Sequence, residues 1–159
     1  MLDAVIAAVR AVAQQEIIPR YLRVTRQRKA DGSLITEADL ATQEALSREL
    51  RKICPGAVVG EEMTDQWLAG DAGLWCMDPI DGTSNFVNGL PYFAVSVALM
   101  RQGRSILGVV YNPVADEMFY AEQGSGAYLN GEKLPIKEHV PLLKSAVANV
   151  DLKRLSAKL

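Results

Sequence analysis

Residues 73–86, Gly-Leu-Trp-Cys-Met-Asp-Pro-Ile-Asp-Gly-Thr-Ser-Asn-Phe, carry the side chains best suited to chemistry. An apolar run from Leu74 to Met77 stops at Asp78, and Asp81 follows three positions later. The run is short, apolar and bounded by Gly73 and Pro79, which reads as a buried strand. On a straight strand, residues three apart point to opposite faces. A helix would align them, but Pro79 and Gly82 oppose helix here. The expectation is therefore a sharp turn at Pro79-Ile80 that brings both carboxylates toward one point. Carboxylates held close repel unless one is protonated or a cation sits between them. A hard divalent cation with oxygen ligands answers that repulsion.

Other stretches could join this centre. Gly60-Glu61-Glu62 follows a short apolar strand at Ala57-Val58-Val59. Adjacent acids are ordinarily surface residues; a strand end and a glycine make these two candidate ligands. Thr36-Glu37-Ala38-Asp39 has the form of a helix start, with Thr36 as the cap and Asp39 as a capping-box acid. Ser84 to Gly89 fits a short helical turn whose start at Gly82-Thr83 would offer backbone N–H groups to a phosphate. The basic run at 23–31, which includes Lys29, is either a solvated helix end or a mobile loop over an anionic substrate.

Several chemistries are excluded. His139 is the only histidine, which disfavours a Ser-His-Asp triad or a His-rich zinc site. Six residues beyond Cys54 and Cys76 stand Gly60 and Gly82 rather than arginine, so no cysteine-phosphatase loop is present. There is no Gly-x-x-x-x-Gly-Lys and no EF-hand spacing. The Asp78/Asp81 spacing does not match an aspartyl-phosphate phosphatase. Metal-assisted hydrolysis by a carboxylate cluster remains.

The elements that must position these residues can be read in order. With 159 residues, 49% hydrophobic and 23% charged, the chain has ordinary globular composition and makes one domain or part of a larger one. Its net charge of −2 gives no electrostatic case for a nucleic acid polymer or an anionic membrane surface. No run approaches the roughly 18 apolar residues of a membrane span. Cys54 and Cys76 read as buried free thiols, which fits a reducing, cytoplasmic compartment. Val5, Ile6, Val9, Val12, Ala13, Ile17 and Tyr21 recur at helical spacing over residues 3–22, with Pro19 as a kink or boundary. A second helix runs from the Thr36 cap through Leu40, Leu46 and Leu50 to Ile53 and ends at Pro55-Gly56. Residues 63–72 read as a surface loop. Strands are expected at Phe93–Met100, Ser105–Tyr111 and Glu117–Ala121, with a hairpin at Asn130-Gly131. A strand at Ser145–Val150 and a helix from Asp151 close the chain. Two helices ahead of a large antiparallel β-sheet make the class α+β.

Asp78-Pro79-Ile80-Asp81-Gly82-Thr83-Ser84-Asn85-Phe86, with Trp75 ahead of it, resembles the signature of the inositol monophosphatase family. Gly60-Glu61-Glu62 and Thr36-x-x-Asp39 are similar to that family's upstream motifs, and Tyr111-Asn112-Pro113 and Gly126 to Gly131 extend the likeness. The resemblance implies the N-terminal half of a layered α/β/α/β/α fold. It implies Mg²⁺ held by Glu61, Asp78 and the Ile80 carbonyl, with Asp78 bridging to a second Mg²⁺ on Asp81. It also implies a Thr83–Asp39 pair that orients the attacking water, and Glu62 just outside the ligand shell. Residues Ile80 to Thr83 would meet the substrate, its phosphate held by the Gly82 and Thr83 N–H groups, and Lys29 would lie in a closing loop. The implied activity is hydrolysis of a small phosphorylated alcohol, inositol monophosphate first, with Li⁺ inhibition and a homodimer. Fructose-1,6-bisphosphatase, histidinol-phosphate phosphatase and 3′-phosphoadenosine nucleotide phosphatase activities stay open, as does a non-catalytic Mg²⁺-binding or dimerisation module. The family's second signature, Trp-Asp-x-Ala-Ala-Gly, does not occur in residues 87–159. The expectation is a single α+β domain over residues 1–159 that lacks the C-terminal α/β part and the metal-ligating Asp it carries.

Overall fold

The computed structural model describes residues 1–29, 34–60 and 73–135. Helix α1 (Leu2–Val12) buries Val5, Val9 and Val12, the stripe its spacing predicts. It widens into a π-type turn at Ala13–Ile17 and tightens into a final turn at Ile18–Arg20, where Pro19 sits. Pro19 therefore marks the boundary. The basic stretch beyond it is partly ordered: β1 (Gln27–Arg28) pairs antiparallel with β2 (Leu34–Ile35).

Helix α2 (Glu37–Ile53) starts at the Thr36 cap. Its buried residues include Asp39, Thr42, Gln43, Leu46 and Leu50 at i, i+3, i+4, i+7 and i+11, with Ala38, Ala45 and Ser47 beside them. Leu40 falls off that series and is 51% exposed.

A seven-stranded sheet follows chain order through β3 (Ala57–Gly60), β4 (Leu74–Asp81), β5 (Ala94–Arg101), β6 (Arg104–Asn112), β7 (Glu117–Glu122), β8 (Gly126–Leu129) and β9 (Glu132–Lys133). Every pair from β4 onward is antiparallel, but β3 and β4 run parallel. The sheet is thus mixed rather than wholly antiparallel. A parallel pair needs a crossover of about a dozen residues, and the chain between Gly60 and Leu74 is long enough. The β8–β9 turn falls at Asn130-Gly131, where both φ angles are positive (49° and 92°).

Helices α1 and α2 cover one face of the sheet. Trp75, Met77, Val95, Val97, Leu99, Leu107, Val109 and Tyr111 point into that layer and are buried. Trp75 anchors it: its indole N–H donates to the Cys54 carbonyl at 3.0 Å. Burying such a side chain stabilises by about 1.5–3 kcal/mol. Both cysteines are free thiols, Cys54 buried and Cys76 half-buried. Among the described residues, no helix is long and apolar enough to cross a membrane. The expected loop at 63–72, His139, the Ser145–Val150 strand and the helix from Asp151 lie outside the described residues.

Candidate active site

Strand β4 alternates while it is apolar, with Trp75 and Met77 buried and Cys76 half-buried. Past Met77 the alternation breaks, because Pro79 and Ile80 are both buried. The register explains this. Asp78 lies opposite Ser96 and Asp81 opposite Ala94, so three steps along β4 match two along β5. One extra residue in a strand is a β-bulge. The expected turn at Pro79-Ile80 is therefore absent, and the strand runs extended to Asp81. The bulge does what the turn was invoked to do. Ser96 and Ala94 are two apart and share the sheet face away from the helices. Asp78 and Asp81 sit opposite them on that same face. Pro79 suits the irregular position because it has no N–H to give the ladder. The Ile80 N–H instead donates to Asp78 Oδ1 at 3.1 Å, which fixes that carboxylate's orientation.

Asp39 comes from the other side of the molecule's core. It is 1% exposed and each of its oxygens has its own partner. Oδ2 accepts the Thr36 N–H at 2.8 Å and the Thr36 hydroxyl at 2.6 Å. Oδ1 accepts the Thr83 hydroxyl at 3.3 Å, across 44 positions of sequence. The capping role and the contact with Thr83 thus coexist on one carboxylate. Burial pushes the Asp39 carboxyl above the usual carboxylate range, and the Thr36 and Thr83 donors pull it partly back.

Thr83 opens α3 (Thr83–Val87) directly after Gly82. Gly82 has φ +91°, and a Cβ there would lie 3.0 Å from the Tyr92 carbonyl oxygen. Glycine is required on both counts. A ring cluster holds this corner, with Phe86 5.0 Å from Phe93 and Tyr21 5.2 Å from Phe93 between centroids. At five residues α3 is too short for a developed dipole, so any anion seat here rests on individual N–H groups.

The remaining candidates separate into two groups. Lys29 is half-buried just after β1 and has an interaction of its own. Glu61 and Glu62 lie outside the described residues. Among the described residues, no three Asp, Glu, His or Cys side chains converge. The glycine ahead of Glu61 has a local reason: a Cβ on Gly60 would collide with the Gln43 carboxamide. A cavity of about 390 Å³ opens beside the site, lined by Asp81, Gly82, Asn85, Tyr92, Glu117 and Phe119 among others. Tyr92, Glu117 and Phe119 carry no motif, and only the sheet register places them beside Asp81.

The donors that the bulge sets on one face are hard: the two carboxylates of Asp78 and Asp81. That donor set suits Mg²⁺. Over residues 1–155 the chain matches the inositol monophosphatase family, and it belongs to that family. It is 42% identical over 123 residues to the fructose-1,6-bisphosphatase/inositol-1-monophosphatase of Thermotoga maritima, covering 76% of this chain and 47% of that protein. A solved Thermotoga maritima IMPase superposes with TM-score 0.78 at 39% identity, covering 86% of this chain and 54% of that one. A staphylococcal inositol monophosphatase-1, solved as a lithium chloride-soaked inhibitory complex, superposes with TM-score 0.74 at 26% identity over 84% of this chain and 52% of that one. The chain spans about half the length of the relatives it matches.

Proposed function

We propose that this chain supplies the metal-holding and water-orienting part of a Mg²⁺-dependent phosphatase of small phosphate monoesters. The observation that carries the reading is the β4 bulge, which sets Asp78 and Asp81 on one face. These residues, with the Ile80 carbonyl and Glu61, would hold Mg²⁺, which would supply charge to the phosphate and to the leaving oxygen. The chain's own groups do the rest. Thr83, donating to Asp39, turns its oxygen lone pairs outward to accept from and orient a water. The Gly82 and Thr83 N–H groups would hold the phosphate oxygens as charge shifts onto them. Glu62 and Lys29 are proposed to act from outside this centre. Among the described residues, the carboxylates at this site are assigned to the metal and to Thr83, so the reading is direct displacement by water.

The cavity beside Asp81 bears on the substrate. Among the described residues lining it are the carboxylates Asp81 and Glu117 and no Lys or Arg. That charge suits a neutral alcohol such as inositol better than a leaving group with a second phosphate. By family likeness the activity is Li⁺-sensitive and the protein a homodimer.

The test is phosphate release from inositol 1-phosphate and fructose 1,6-bisphosphate by the full-length protein, in Mg²⁺ and in excess chelator. Release that needs Mg²⁺ and favours inositol 1-phosphate is expected. Undiminished release in chelator would overturn the metal reading. Mg²⁺ binding with no release from any monoester would identify a non-catalytic metal-binding module.

A further inference from the structure

The Thr83 hydroxyl has one proton and two acceptors. Its oxygen lies 3.0 Å from the Ile80 carbonyl oxygen and 3.3 Å from Asp39 Oδ1, with donor geometry to both. A hydroxyl can give its proton fully to only one of them at a time. The shorter contact is the neutral carbonyl, and the longer one is a carboxylate, ordinarily the stronger acceptor. The contacts are therefore poised against each other.

We propose that Thr83 is a two-position donor whose proton leaves the Ile80 carbonyl for Asp39 when a hard cation occupies that carbonyl. The proposal rests on the metal reading above and extends it to how the water-orienting pair is switched on. Were a divalent cation held at the carbonyl oxygen, an O–H dipole aimed at the same atom would be repelled at its positive end. Asp39 Oδ1 then becomes the better acceptor, and the Thr83 lone pairs rotate toward solvent. Without the cation, the carbonyl competes for the proton at the shorter of the two contacts, and those lone pairs are not held toward solvent. The site thus readies its water-orienting group only once the cation is seated. No bond is made or broken; one hydrogen bond is exchanged for another.

Thr36 gives a means of locking the switch. Its N–H and hydroxyl both point at Asp39 Oδ2, so that position must hold an acceptor. In Asp39→Asn the carbonyl oxygen takes that place, and the NH₂ group is left facing Thr83. The Thr83 oxygen can accept from that NH₂ group but has nothing there to donate to, so its proton is directed onto the Ile80 carbonyl. Cation binding there must then displace it. Reciprocity of linked equilibria makes this a loss of Mg²⁺ affinity.

The experiment is a double-mutant cycle on the full chain, with Mg²⁺ affinity read by titration of assigned ¹³C carbonyl and carboxyl resonances. Asp39→Asn should weaken Mg²⁺ about tenfold with Thr83 present. In the Thr83→Val background, which removes the competing proton, the loss should fall below about threefold, the part due to charge alone. Thr83→Ser should behave as Thr83. If Asp39→Asn fails to fold, the parent protein carries the test: Asp39 Cγ should shift with the same midpoint as the Ile80 carbonyl carbon. Thr83→Val should abolish the Asp39 response and keep the Ile80 one. An equal Asp39→Asn penalty in both backgrounds, or an Asp39 response that survives Thr83→Val, overturns the switch while the metal reading stands. No response at Asp78, Asp81 and Ile80 in the parent overturns both.

Discussion

From Leu74 to Met77, β4 alternates strictly between the helix-covered face and the open one, whereas from Asp78 to Asp81 three steps along β4 span only two along β5. The regular half is apolar and locked by Trp75 against the Cys54 carbonyl. The irregular half carries the acids and the proline. The same strand therefore divides stability and chemistry along its length. A bulge costs ladder regularity, and here that cost sits where it sets two like charges on one face. The regular half tolerates this because its pairing with β3 and β5 is continuous.

The largest expected effect tests the regular half. Trp75→Ala should cost about 3–5 kcal/mol of folding stability in urea denaturation. Mg²⁺ affinity of the molecules that remain folded should be unchanged. Metal binding that fell in step with stability would show that the two halves are not separable. In the irregular half, Asp78→Asn should weaken Mg²⁺ about 100-fold or more and abolish Mg²⁺-dependent turnover. Its stability without metal should stay the same or rise, because one of two like charges is gone. A large loss of stability would make Asp78 a folding residue instead.

Gly82→Ala should cost about 1–3 kcal/mol, because it forces a side chain into positive φ against the Tyr92 carbonyl. The smallest effect is in pH dependence. The Asp39 carboxyl is raised in the folded state, chiefly by burial, so the folded protein binds this proton more tightly than the unfolded chain does. Stability of the metal-free protein should therefore fall as pH rises from the ordinary carboxylate value of 3.8 through the raised folded one. Asp39→Asn should flatten that part of the urea-midpoint profile. A profile identical in both proteins would contradict the buried, proton-retaining carboxyl.

Much of the scaffold was legible because its signals are local. Thr36-x-x-Asp39 reads as a cap and is one, and Asn130-Gly131 reads as a hairpin and is one. The bulge was not read, although Pro79 followed by Ile80 in an alternating strand was its signal. A proline away from a sheet edge points to a bulge as readily as to a turn. The parallel β3–β4 pair was missed because direction is decided by partners far apart in sequence. The contact of Thr83 with Asp39 could not come from spacing; the family resemblance alone suggested it. Nothing in the sequence tied Arg10 of α1 to Asp116, whose carboxylate also accepts the Tyr111 hydroxyl at 2.9 Å.

The most direct measurement is a Mg²⁺ titration that follows the side-chain carboxyl carbons of Asp78 and Asp81. If the bulge gives both acids one cation to share, both resonances move with a single common midpoint, and Asp78→Asn removes the response at Asp81. Movement of either one alone, or of neither, would contradict a shared metal site on β4.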